Sequence, residues 1–297
     1  MTERRIAVNA LARVEGEGAL TLRIGSSGVE QVALSIFEAP RYFEALLRGR
    51  SAAEAPDITA RICGICPVAY IMSASQAVEQ AWGVTITPEI AALRRLVYFG
   101  EWIQSHVLHA ALLHAPDFLG LPDAVHIARD RPDLVRTALR LKKLGNAIME
   151  TVGGRAVHPV NTRIGGFYRS PEREAVAALL PELEWAVRAS RDLALAFATF
   201  DYPPFEADYL FVSLIHPDTY PITEGRIGTS DGLDIPVEDF RAHFSETQMA
   251  RSTALHGRTR TGAPYLVGPL ARYANNGARL SQSCKETAAA VGLGPVE

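Results

Sequence analysis

Leu20, Leu22 and Ile24 alternate with polar or small residues, and after the Ser26-Ser27-Gly28 interruption Val32, Leu34 and Ile36 alternate again. A period of two gives a strand one apolar face, so the two runs predict a β-hairpin turning at the interruption. Beyond Pro40 the period changes, and Phe43, Leu46 and Leu47 fall on one face of a short amphipathic helix within RYFEALLRGR. Pro67 is placed to open a helix over VAYIMSASQAVEQAW, because a first helical position needs no N–H donor. Thr87 and Pro88 cap and open a longer one, in which EIAALRRLVYFGEWIQSHVLHAALLH keeps helical spacing for about seven turns. PDLVRTALRLKKLGNAIMETV, residues 132–152, predicts another long helix, stopped by Gly153 and Gly154. Ser170 and Pro171 start a third, which Pro181 must kink or restart.

Residues 202–236 mix prolines, glycines and short apolar runs, which predicts irregular chain with short strands, whereas VEDFRAHFSETQMARSTALHG predicts a return to helix. No internal repeat, low-complexity tract or linker divides the chain. The expected fold class is mainly α (α+β): a long-helix bundle with a small N-terminal antiparallel β-sheet, in a single domain over 1–297. With 297 residues, 48% of them apolar, the chain can bury a substantial core. A net charge of -3, from 30 basic and 33 acidic residues, gives no electrostatic reason to bind nucleic acid or an anionic membrane. MTERRIAVNALARVEGEG lacks the apolar core of a secretory signal, and no apolar run reaches the roughly 18 residues of a membrane span, so a cytoplasmic location is expected.

Candidate chemistry centres on RICGICP, where Cys63 and Cys66 stand two residues apart in a chain of three cysteines. Three are too few for a disulfide framework, and a reducing compartment would keep this pair as thiols. Two thiolates at this spacing can grip one ion in adjacent positions, and Arg61 just upstream favours the thiolate form. A structural zinc site would need two further ligands at short spacing, but Cys284 lies in LSQSCKETAAA, which has helical patterning, and His106 and His109 lie within another helix. A thioredoxin-like exchange site would call for a βαβ setting that the surroundings lack, and a packed core pair is the remaining alternative.

The flanks carry a resemblance. ARVEGEG at 12–18, EAPRYFEALLRGR at 38–50, RICGICP at 61–67, SHVLH at 105–109 and GGRAVHP at 153–159 occur in this order. Together they resemble the N-terminal portion of the large, catalytic subunit of nickel-iron hydrogenases, most of all the cytoplasmic branch coupled to NAD(P) or ferredoxin. The resemblance implies that Cys63 is a terminal thiolate on nickel and that Cys66 bridges nickel to an iron carrying carbon monoxide and cyanide; soft thiolates suit both metals. It implies reversible heterolytic cleavage of H2, with protons relayed by a carboxylate and electrons passed to an iron-sulfur small subunit and onward to nucleotide-reducing (diaphorase) subunits.

Glu15 in RVEGEG matches the family's proton-relay glutamate, with Gly16 letting the backbone approach the site; on its own it would read as a surface glutamate in a loop. Glu44 in PRYFEALL matches the glutamate that holds a secondary magnesium or iron ion, although a glutamate on such a helix is commonly a solvated edge. Glu17 and Tyr70 stand where many relatives have histidine. His106 and His109, three apart, are expected in the core or beside the site, and His158 with Arg155 in a loop near it, none as ligands. Relatives supply two more nickel thiolates from a C-terminal Asp-Pro-Cys-x-x-Cys-x-x-His element absent from these 297 residues, so the expectation is a fragment whose own activity is in question. Two other readings compete: a non-catalytic scaffold like the quinone-site subunit of complex I, and a small zinc or thiol protein using the CxxC alone.

Overall fold

A computed structural model describes residues 4–294. The chain forms two compact units: one takes it through Tyr42, then Ala207–Ile215 and Arg226–Asn275, and the other takes Phe43–Glu206, His216–Gly225 and the chain from Asn276 on.

In the first unit the period-two runs form the expected hairpin. β2 (Gly18–Gly25) and β3 (Gly28–Ile36) pair antiparallel with Leu22 opposite Val32 and Leu20 opposite Leu34, and β1 (Arg4–Val8) adds an outer strand on β2. Gly28 takes a φ of +119° at the turn, a conformation that a side chain would strain. Val32 and Leu34 stay 59% and 42% exposed, so their face of the sheet is not the buried one that the alternation suggests. A second small sheet pairs Val212–Ile215 with Arg226–Thr229 and that strand with Asp234–Ile235. Val212, Ile235 and Phe244 form its core.

The helix expected over VEDFRAHFSETQMARSTALHG is not formed. Single turns at Val237–Asp239 and Phe240–His243 lead into an antiparallel hairpin of Phe244–Gln248 and Leu255–Thr259. Tertiary pairing overrides the helical pattern here. Phe244 enters the core at 2% exposure, and the reversal after it brings Arg251 and Thr253 alongside the end of β3, where Ile36 N donates to Arg251 O (3.1 Å) and Thr253 N donates to Ile36 O (2.9 Å).

The second unit is the long-helix bundle. It runs through α1 (Phe43–Leu47), α2 (Ala55–Ala60), α3 (Pro67–Trp82) and α4 (Pro88–Val107). On α1, Leu46 is 55% exposed, so the expected apolar face is carried by Phe43 and Leu47 alone. Thr87 caps α4 through Ile90 N (3.4 Å). The predicted seven-turn helix then changes gait: Leu108–His114 is π-helical, and α5 (Ala115–Phe118) completes it. After α6 (Ala124–Asp130), α7 (Pro132–Gly153) ends on Gly154 in the left-handed region. α8 (Arg173–Ala177) is short, and α9 (Leu180–Phe197) restarts at Pro181.

Helix α7 is central. Leu141, Leu144 and Ile148 pack on Ala186, Ala189 and Leu193 of α9, while Met149 and Val152 meet Val68 and Met72 of α3 and Val97 of α4. Helices α4 and α7 touch backbone to backbone at a glycine pair. A Cβ on Gly145 would lie 2.6 Å from Gly100 O and 2.7 Å from Gln104 N, neither of which can swing away. Gly145→Ala is therefore expected to lose about 1–3 kcal/mol of stability despite its better helix propensity, read from urea unfolding.

Candidate functional site

The tight chain between α2 and α3 carries both cysteines. Cys66 occupies the N-cap position of α3, and its backbone N–H points at Cys63 Sγ (3.1 Å). Cys63 is 8% exposed and Cys66 half-buried. The expectation of free thiols is corrected, since the pair is joined as a disulfide with a Cα–Cα distance of 5.4 Å. The same turn that aims two sulfurs at one ion brings them within bonding reach of each other. Cys284 is exposed on the helix Gln282–Ala290, a setting that leaves it no part in this pair.

Two residues of α4 that the sequence reading passed over hold this loop. The Glu101 carboxylate, 2% exposed, accepts from Val68 N (2.6 Å) and also from the Ala69 amide. One turn further on, Gln104 Nε2 donates to Ile65 O (3.2 Å), while Lys142 of α7 donates to Gln104 Oε1 (3.3 Å). The signal available was a glutamate and a glutamine three apart within FGEWIQSH, on the face shared with buried Val97 and Gly100.

Burial pushes the Glu101 carboxyl up to about 7 against the pull of its two amide donors. Its ordinary value is 4.5, so across that interval the native chain holds a proton that the unfolded chain has released. Stability must then fall as pH rises from about 4.5 through about 7, by about 3 kcal/mol in all. Glu101→Gln is expected to flatten that part of the profile, read from urea unfolding over a pH series against the parent.

A buried ion pair braces the other end of α3. Arg94 donates twice to Glu79, from Nη1 to Oε2 (2.9 Å) and from Nη2 to Oε1 (2.5 Å), and Glu79 Oε1 also accepts from Gly165 N (2.6 Å). The expected loop GGRAVHP places His158 at a φ of +49°, with Arg155 Nε donating to its carbonyl (2.6 Å). The ring packs toward the residues that lead into the cysteine loop. Burial lowers its pKa most, followed by the charge of Arg61, while a hydrogen bond to the Ala60 backbone opposes both.

Of the remaining candidates, Glu44, His106 and His109 share the second unit with the cysteines, and Glu15 belongs to the first. Glu15 belongs to the first unit, exposed in the loop joining β1 to β2, which Leu11 N closes on Gly18 O (2.8 Å). Gly16 beside it has φ +85°, and a Cβ there would meet Glu38 Oε2 at 2.5 Å. Glu44 belongs to the second unit, exposed in the first turn of α1. His106 is exposed rather than in the core, with Nδ1 donating to Trp102 O (2.7 Å), and His109 Nδ1 donates to Ser105 O (2.7 Å). Among the described residues no group of three or more His, Cys, Asp or Glu converges as a metal site, and no helix is long and apolar enough to cross a membrane. Two soft sulfur donors at one point therefore fit a soft metal as part of a ligand set.

Comparison with known proteins agrees on one family. Residues 41–135, which include the cysteine loop and all of α4, match the family model described as nickel-dependent hydrogenase. Sulfhydrogenase 1 subunit alpha of Pyrococcus furiosus is 35% identical over 284 residues, covering 95% of this chain and 66% of the relative. Sulfhydrogenase 2 subunit alpha of the same organism is 37% identical over 194 residues, covering 65% of this chain and 47% of the relative. The crystal structure of an NAD+-reducing NiFe hydrogenase in the H2-reduced state superposes with a TM-score of 0.81 at 29% identity, covering 92% of this chain and 66% of that one. The chain thus spans less than two thirds of the length of these relatives.

Proposed function

This chain belongs to the nickel-dependent hydrogenase family as a large-subunit sequence, and on that premise we propose that it takes part in the reversible heterolytic cleavage of H2 within a multisubunit complex. The observation that carries the reading is the convergence of Cys63 and Cys66 on one point at the start of α3, inside the segment that matches the family. The two cysteines would hold nickel, Cys63 terminally and Cys66 as a bridge to iron bearing carbon monoxide and cyanide. The nickel-iron group, when bound, supplies the site at which H2 is split.

The chain's own residues do the rest. The cysteines must be reduced before they bind, because thiolate and not disulfide sulfur is the ligand. A basic sulfur accepts a proton, and Glu15 relays it outward. Glu44 would supply one hard carboxylate oxygen to a secondary magnesium or iron ion. Electrons leave to an iron-sulfur small subunit; the NAD+-reducing relative supports nucleotide-reducing partners beyond it. A cytoplasmic location is part of the same proposal. Residues 1–297 are assigned to one large-subunit domain.

Metal analysis of the complex purified under reducing conditions tests the reading. Nickel and iron together with H2-dependent dye reduction are expected; zinc alone, or no metal, would overturn it.

A further inference from the structure

We propose that Glu101 is the positioning residue of the Cys66 sulfur: its buried carboxylate caps the helix that Cys66 begins and, with Gln104, fixes the peptide groups on both sides of that cysteine and sets the charge the sulfur feels.

Helix α3 has no cap of its own. Cys66 at the N-cap makes no side-chain cap bond, Pro67 has no N–H, and the next two amides would be left bare beside a fully buried Val68. A carboxylate has two acceptor oxygens and no donor, so one side chain satisfies both amides, here from 33 residues downstream. A hydroxyl or amide side chain would not serve as well. Gln104 grips the carbonyl of Ile65 on the other flank, and the glycine contact between α4 and α7 holds both jaws in place.

The electrostatic consequence follows from the same placement. A cysteine at a helix N-terminus is normally made acidic by the aligned peptide dipoles. A buried negative charge on those same amides offsets the dipoles and disfavours further negative charge on the neighbouring Cys66 sulfur, which makes it a disulfide partner harder to reduce. The inference deepens the reading of Cys66 as a ligand. Its test is made on the metal-free cysteine couple, so either can fail without the other.

The full chain is equilibrated with glutathione buffers at about pH 8, and the reduced fraction is counted by alkylation. Glu101→Gln is expected to move the equilibrium about tenfold toward the dithiol, a potential about 30 mV less negative. Glu101→Asp, which keeps the charge, should stay within about twofold of the parent, and so should Gln104→Met, which removes one jaw without altering charge. A Glu101→Gln value within about twofold of the parent would overturn the proposal. So would an equal shift in Gln104→Met, which would make the effect a loosened loop, or a tenfold shift in Glu101→Asp, which would remove charge as the cause. Urea unfolding of each variant establishes that the folded chain is being read.

Discussion

Cys66→Ser is expected to strip both nickel and iron from the purified complex, at least about a hundredfold below the parent, whereas Cys63→Ser should strip nickel by a similar factor and leave iron largely in place. Outer-shell partners alone cost 10–100-fold in metal affinity, so a lost ligand must cost at least that much. Serine removes a polarisable thiolate and substitutes a hydroxyl that stays protonated near neutral pH, so it cannot stand in for a soft donor. The asymmetry between the variants follows from their proposed roles, since a bridging sulfur touches two metals and a terminal one touches one. Cys284→Ser serves as the control, because that thiol is exposed on a different helix and should change neither metal. Elemental analysis of the three variants decides. Equal iron loss in Cys63→Ser and Cys66→Ser would remove the distinction between terminal and bridging sulfur, and unaltered nickel in both would remove the site.

Where local chemistry dictates local structure, the sequence was legible. Proline at a first helical turn, threonine at a cap and glycine past a helix end mark α3, α4 and α7 at their observed starts and stops. Alternation marked the hairpin but not which of its faces is covered. The failures share a cause, which is contact between residues distant in the chain. Phe240 and Phe244, which fall within the expected helix, instead stack with centroids 5.0 Å apart at the entrance to a hairpin whose far end pairs with Ile36. The cysteine pair was legible by spacing, but Glu101 and Gln104 were not. A glutamate in a long helix reads as solvated until the neighbouring helix is known to start with two unpaired amides against it.

The largest stability effect is expected at Arg94, where the same logic applies to a full charge. Arg94 and Glu79 are 2% and 6% exposed, and their forked pair of hydrogen bonds is joined by Gly165 N on the carboxylate and by Arg163 O on the guanidinium (3.0 Å). Arg94→Met removes one charge and leaves a buried carboxylate with a single amide for company, which should cost about 3–5 kcal/mol. Replacing both, Glu79→Met with Arg94→Met, removes the unpaired charge and should recover much of that loss, since well-packed apolar side chains of similar volume can match a buried pair. Three urea-unfolding measurements read the cycle. A double variant no more stable than Arg94→Met would mean that the pair's worth lies in the backbone groups it ties together, Arg163 O and Gly165 N, and not in the balance of charge. In either case α3 and α4 are held in register at this end by the pair and at the other by Glu101, so the cysteine loop that leads into α3 inherits its placement from the helix they anchor.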